Sequence, residues 1–469
     1  MSTICAPATA PGGAIAVVRV SGPEAIAITS RIFSKDLTQA KGYSLHYGYI
    51  HSVYENGAES TPDSTESDAL IDDVLVSVFR APHSYTGEDS TEISCHGSRY
   101  IIQKIIESLI CAGARMATPG EFTKRAFLAG KMDLSQAEAV ADLITSGNEA
   151  THRMALSQMR GGFSKELETL RDQLLHLTSL LELELDFSDH EDIEFADRQQ
   201  LRELTDTLYR HIQLLTDSFR TGNALKNGIP VAIIGAPNVG KSTLMNALVH
   251  EERAIVSDIQ GTTRDLIEDT IQIDGITFRF IDTAGIRKTT DRIEQMGIER
   301  SLQAAKKADI IILLTEPNKN FPDIRIPHSP ETPDLPIVLR VINKSDLIMP
   351  DSSFLYHRQQ SKQDIHISSM TGAGMPILQK ALTDAANRIL SYTNGGDHTI
   401  VTNLRHYEAL HHSLEAVSRV KHAIADNIPG DLIAEDLRQC LHHLGEITGG
   451  EITTDEVLAN IFKNFCIGK

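Results

Sequence analysis

The octet GAPNVGKS, Gly235 to Ser242, has the residue types and spacing of a phosphate cradle, GxxxxGK[ST]. Its glycines let backbone N–H groups curl around phosphate oxygens. The Lys241 ammonium reaches toward β- and γ-phosphates, and the Ser242 hydroxyl suits Mg²⁺. Asn238, Val239, Gly240 and Thr243 complete the phosphate-side set. Average composition yields such an octet by chance in roughly one or two chains of this length per hundred, so its companions decide the reading. DTAG (Asp282, Thr283, Ala284, Gly285) ends an apolar run; its carboxylate can hold the Mg²⁺ shell, and the Gly285 N–H can sense a γ-phosphate. NKSD, with Asn343, Lys344 and Asp346, follows the run VLRVIN. The Asp346 carboxylate accepts paired hydrogens from guanine, where adenine offers the wrong donor pattern. GTTRD, Gly261 to Asp265, supplies Thr263 as a second hydroxyl ligand for Mg²⁺. The set points to GTP, whereas the cradle alone leaves ATP open.

The residue after DTAG is Ile286, where a Ras-like enzyme carries the Gln that orients water. Hydrolysis then needs another device. Asn238 is a candidate ligand for a monovalent cation set against the β- and γ-phosphates, neutralising developing charge; ordinary loop hydrogen bonding is the competing reading. Glu294, in IEQMGIER, could orient water, although a solvated helix carboxylate is the commoner fate of such a residue.

These residues need a frame. PVAIIG (230–235) reads as a buried strand, KSTLMNALV (241–249) as a helix, and TIQIDGITFRFID (270–282) as two strands joined at Asp274–Gly275. ADIIILL, PIVLRVIN and DIHISS add apolar runs of strand length between helical patterns, the signature of an α/β domain with a mostly parallel sheet over 223–385. Residues 1–120 are β-rich, with AIAVVRVSG, LIDDVLVSVFR and STEISCHG between turn-forming stretches, and read as a small α+β domain. From 121 to 222 the period becomes helical: Leu167, Leu170, Leu174, Leu177 and Leu181 line one face. Helical texture returns over 386–469, so the economical architecture is one discontinuous helical domain with the α/β domain inserted.

The chain has 469 residues, enough for about three domains. Its net charge of −19 makes the bulk surface unattractive to a phosphate backbone, so nucleic acid must meet a local patch or a partner. Five cysteines without a CxxC pair argue against a disulfide framework and for a reducing compartment. No apolar run approaches a membrane span and no signal sequence opens the chain, which sets cytoplasmic as the expectation. His411–His412 and His442–His443 lie on helical texture, where adjacent side chains diverge, so a shared metal is disfavoured. Thr453 with Glu456 reads as a capping box opening a final helix.

From end to end the sequence resembles the MnmE (TrmE) family of tRNA-modification GTPases. The resemblance rests on GGAIAVVRVSG, APHSYTGEDSTEISCHG, TPGEFTKRAFLAGKMDLSQAEAVADLI, the G motifs and the terminal FCIGK. It implies an N-terminal α+β domain similar to tetrahydrofolate-binding proteins, a discontinuous helical domain and an inserted Ras-like P-loop G domain. It further implies a homodimer through the N-terminal domains. The implied partners are an FAD-containing flavoprotein of the MnmG (GidA) type, in a heterotetramer or larger, and tRNA, with no membrane. The implied activity is K⁺-stimulated GTP hydrolysis that drives conformational change while carbon 5 of the wobble uridine receives a carboxymethylaminomethyl- or aminomethyl-type group. A regulatory G-protein switch, such as a ribosome-assembly GTPase, is the alternative; it does not require the first 131 residues or the tail.

Carried over by position, the family's potassium site falls on Asn238 and on Ser257, Ile259 and Thr262, in a nucleotide-lining loop with Asp258, Gln260 and Gly261. Mg²⁺ falls on Ser242 and Thr263, the water-orienting glutamate on Glu294, and the base-side loop on Ser368, Ser369 and Met370. Met370 departs from the small or basic residue usual there. Arg264, Asp265 and Arg287 match switch positions. A tetrahydrofolate derivative, 5-formyl- or methylene-tetrahydrofolate, falls on Arg19, Glu92, Lys131 and Lys469. Glu92 would receive the pterin's amidine-like edge, and a lysine or arginine would pair with the glutamate tail. Cys466 invites a nucleophile reading, against the plainer one of a small residue packing the last helix.

Overall fold

The computed structural model describes residues 2–10, 12–52, 70–186, 198–251, 269–281, 303–322, 336–347, 364–391, 399–426, 428, 430–450, 458, 461–463, 465 and 468. It is a multidomain α/β and α protein whose chain falls into two compact units. One comprises 1–145, 155–204 and 419–469, and the other 146–154 and 205–418.

In the first unit, strands β1 (Ile4–Pro7), β2 (Ile15–Ser21), β3 (Ser44–His51), β4 (Leu70–Phe79), β5 (Ser90–His96) and β6 (Arg115–Met116) form one sheet. Their order is β3-β4-β5-β2-β1-β6. The three β-rich runs of the sequence are β2, β4 and β5. Period-2 patterning splits the sheet's faces: Val18, Val20, Val74, Val76, Val78 and Ile93 are buried on one, under helices α1 (Ala25–Ile32) and α2 (Arg99–Cys111). The other face carries Ile15, Leu45, Tyr47 and Leu75 at 41–68% exposure. Helices α3 (Glu121–Leu128), α4 (Leu134–Thr145), α5 (Glu149–Met159), α6 (Gly162–Asp186) and α7 (Arg198–Asn227) follow. On α6, Leu167, Leu170, Leu174 and Leu177 are all at or below 2% exposure, because 3-4 spacing stacks them on one stripe.

In the second unit α7 runs past Gly222 and hands over to β7 (Ile229–Gly235), followed by α8 (Lys241–Glu251), β8 (Asp269–Ile273), β9 (Ile276–Phe280), β10 (Ile310–Thr315), β11 (Ile337–Ile342), β12 (Asp364–His366) and α9 (Met375–Ser391). The sheet order is β12-β11-β10-β7-β9-β8, parallel except for the β8–β9 hairpin. Asp274 (φ 50°) and Gly275 (φ 77°) both take left-handed backbone, as a two-residue hairpin turn demands. Residues of β10 are buried on both faces: Ile310, Ile312 and Leu314 pack with α8 and α9, and Ile311 and Leu313 with Ala304, Ala305 and Ala308. That is why its sequence is continuously apolar. Helices α10 (Leu404–Ala425) and α11 (Gly430–Thr448) return the chain to helical texture.

Candidate functional site

The carboxyl ends of β7, β10 and β11 open at one edge of the second sheet, the place where parallel α/β sheets bind ligands. Gly235 closes β7, and a Cβ there would lie 2.5 Å from the Leu314 carbonyl oxygen. The loop then arches with Ala236, Pro237 and Asn238 exposed and Val239 anchored at 2% exposure. Gly240 has φ 95°, and a Cβ on it would sit 2.3 Å from Asn343 Nδ2, so both backbone hand and space require glycine. The Leu244 N–H donates to the Gly240 carbonyl (2.9 Å), starting α8 and aiming the N–H groups of its first turn into the loop. Lys241 Nζ donates to the carbonyls of Gly235 (2.7 Å) and Ala236 (3.0 Å), spanning the loop; burial pushes its pKa below the ordinary lysine value. A cradle of convergent N–H groups, one half-buried ammonium and the Ser242 hydroxyl fits a polyphosphate with Mg²⁺.

Asn343 is the strut of this site. It is 2% exposed; its Nδ2 donates to the Val239 carbonyl (2.9 Å), and its Oδ1 accepts from the Ser369 N–H (3.0 Å) and hydroxyl (2.9 Å). One side chain thus ties the phosphate loop to the base-side loop. Lys344, in left-handed backbone (φ 58°), sends Nζ to the Asn238 carbonyl (2.7 Å) and to Glu316 Oε1 (2.5 Å). Asp346 is exposed in a 3₁₀ turn, Ser345–Leu347, pinned where the Ser345 N–H meets the Ile367 carbonyl (3.1 Å). Ser368 and Ser369 are buried, and Met370 stands 86% exposed on the rim.

Glu316 was not among the residues that the motifs single out. The signal was available: β10 and β11 are parallel neighbours with Thr315 opposite Ile342, so the residues that follow them, Glu316 and Asn343–Lys344, emerge side by side. The expected residues Ser257, Asp258, Ile259, Gln260, Gly261, Thr262, Thr263, Arg264, Asp265, Asp282, Thr283, Ala284, Gly285, Arg287 and Glu294 lie outside the described residues, as do Thr453, Glu456, Cys466 and Lys469.

On the first sheet, Arg19 of β2 and Glu92 of β5 are register partners on the exposed face. They are paired with each other: Arg19 Nε and Nη2 lie 2.9 and 2.8 Å from Glu92 Oε1. The guanidinium also lies 5.2 Å from the Tyr85 ring centroid and 5.7 Å from that of Phe122, and its Nη1 donates to the Gly468 carbonyl (3.3 Å). Lys131 Nζ donates to the Pro82 carbonyl (2.8 Å). Phe122 is fully buried, so the part of this cluster that a flat heterocycle with an anionic tail can meet is Tyr85 and the partly exposed Arg19–Glu92 pair.

The N-terminus matches the family model described as GTP-binding protein TrmE N-terminus over residues 3–131, and residues 134–466 match the MnmE helical domain. The tRNA modification GTPase MnmE of Parabacteroides distasonis is 53% identical over 479 residues, covering 100% of both chains. Its namesake in Phocaeicola vulgatus is 51% identical over 497 residues, covering 100% of this chain and 99% of that one. The one in Flavobacterium johnsoniae is 48% identical over 482 residues with the same coverage. Among solved structures, the FeoB G domain of Methanococcus jannaschii aligns at 22% identity and a TM-score of 0.21 over 34% of this chain and 98% of that one, a likeness too slight to carry an argument.

Proposed function

This chain belongs to the MnmE (TrmE) family of tRNA modification GTPases, and from that premise we propose how its GTP hydrolysis serves the modification. It is a P-loop GTP hydrolase acting in tRNA modification. Hydrolysis drives a conformational step during installation of a carboxymethylaminomethyl- or aminomethyl-type group at carbon 5 of the wobble uridine, together with an FAD-containing MnmG-type partner. The observation that carries the nucleotide part is the Asn343 strut, which sets phosphate loop and base loop at one spacing.

Within that site the first-turn N–H groups of α8 and Lys241 hold the β- and γ-phosphates, and Asp346 selects guanine. Ser242 and Thr263 would ligate Mg²⁺, with Asp282 in its outer shell. Asn238, exposed on the loop, would offer its side-chain amide oxygen to K⁺, alongside Ser257, Ile259 and Thr262. When bound, the two cations would supply neutralisation of charge developing between the phosphates. Glu294 orients the attacking water, in place of the Gln that Ile286 does not provide. Arg264, Asp265 and Arg287 relay closure to the scaffold.

Arg19, Glu92, Lys131 and Lys469 would hold a tetrahydrofolate derivative, which requires Arg19 and Glu92 to exchange part of their mutual pairing for contacts to the ligand. The apolar exposed face around Tyr47 and Leu75, which also carries Arg19 and Glu92, supports a homodimer through the N-terminal domains. Among the described residues no helix is long and apolar enough to cross a membrane, and the reaction's tRNA substrate favours a cytoplasmic site. Mass spectrometry of wobble uridines tests the reading. Cells lacking this protein should lose the aminomethyl-type group and regain it when the chain is restored. Full modification without the chain would overturn the assignment.

A further inference from the structure

We propose that Glu316 is a positioning residue of the nucleotide site: its carboxylate fixes Lys344 so that the base-side and phosphate loops are held together. The proposal rests on the guanine-nucleotide reading above. Lys344, like its neighbour Asn343, bridges the end of β11 and the phosphate loop, and Glu316 is its anionic partner at 2.5 Å. The carboxylate is itself set from both sides, since Glu316 Oε2 lies 2.6 Å from Lys319 Nζ. Hydrogen bonds from Lys319 and Lys344 hold its pKa at about 2, so it is ionised throughout the physiological range.

The turn behind Glu316 is built to keep it there. Thr315, the last residue of β10, is 3% exposed and donates its hydroxyl to the Asn320 carbonyl (3.1 Å), and the Lys319 N–H returns to the Glu316 carbonyl (3.2 Å). Asn318 takes left-handed backbone to close the turn (φ 62°). A four-carbon lysine stem has several rotamers, and each must be excluded if the ammonium is to meet the Asn238 carbonyl. A charge-assisted bond from a carboxylate fixed by a strand end and a tight turn does this. Glu316 thereby acts on nucleotide affinity through Lys344, without touching the nucleotide.

The test compares wild type, Glu316→Gln, Glu316→Ala and Glu316→Asp in the full-length chain. It measures the dissociation constant for a fluorescent GDP, kcat and KM for GTP, and the melting temperature without nucleotide. Glu316→Gln keeps the shape and removes the charge. It should weaken GDP binding about tenfold and raise KM for GTP, with kcat at saturating GTP within about threefold of wild type. Glu316→Ala should be weaker still, and Glu316→Asp should recover part of the loss. Unchanged GDP affinity in both Gln and Ala variants would overturn the proposal, as would a fall in kcat with affinity intact. A loss of affinity matched only by a fall in melting temperature, without recovery in Glu316→Asp, would also overturn it. Failure of the wild-type chain to bind GDP would instead strike the guanine-nucleotide reading itself.

Discussion

Asp346 shows how little a residue needs to touch within its own chain to set selectivity. Its carboxylate is exposed, and the two residues before it do the positioning: Ser345 is 1% exposed and bonded to the Ile342 and Ile367 carbonyls, and Lys344 is tied to the phosphate loop. A rigid acceptor pair facing the base edge rejects a nucleotide whose donors are misplaced, because a buried polar group is then left unpaired. Asp346→Asn exchanges an acceptor for a donor. GTP should lose roughly a hundredfold in affinity while xanthosine triphosphate gains, as read by competition against a fluorescent nucleotide. Retained preference for GTP would refute the base-recognition role. At this scale the motif residues were legible one by one in the sequence. Glu316 was not, because its partner lies on another strand and only the parallel β10–β11 register brings them together.

Elements hold the sites through a few buried polar joints. In the first unit Arg125 of α3 is 5% exposed and bonds Glu88 (2.9 Å) and Glu121 (2.9 Å), while Arg115 of β6 bonds Glu121 (2.5 Å). Thr123 of the same helix bonds Tyr85 (2.9 Å), whose ring faces the Arg19 guanidinium. Burial opposes ionisation of Glu121, but hydrogen bonds from Arg115, the Thr118 N–H and Arg125 win, bringing its carboxyl down to about 2. A folded-state pKa below the unfolded one contributes stability that is present above the ordinary carboxylate pKa and lost as pH falls toward the folded value. Melting temperature should therefore drop between about pH 4.5 and pH 2, and Glu121→Gln should lower it at neutral pH and flatten that acid limb. An unchanged acid limb in Glu121→Gln would place the acid-labile joint elsewhere. This network was invisible in the sequence, where Arg115, Glu121 and Arg125 look like ordinary surface charges.

At the scale of the whole molecule, we propose that GTP hydrolysis in one unit drives a tRNA-modification scaffold that works as a homodimer. If hydrolysis relies on K⁺ at Asn238 and the loop from 257 to 262, turnover in KCl should exceed that in NaCl by about tenfold or more at equal ionic strength. Equal rates in the two salts would remove the cation from the mechanism. Asn238 already stands in left-handed backbone with its carbonyl engaged, a conformation that orients its side chain without fixing what it binds.

The sequence by itself determined the chemistry and the class of frame. Phosphate cradles and base-reading carboxylates depend on local spacing, and strand or helix on the period of apolar residues, both of which are written along the chain. Tertiary structure alone decided which distant groups meet. It paired Arg19 with Glu92 across β2 and β5, though the family resemblance implies a separate ligand contact for each. It also made Asn343 a strut between Val239 and Ser369, and set Glu316 against Lys344. These contacts follow from sheet order and register, and hydrogen bonds acting within about 3 Å cannot be read from residues far apart in sequence until the sheet has brought them together.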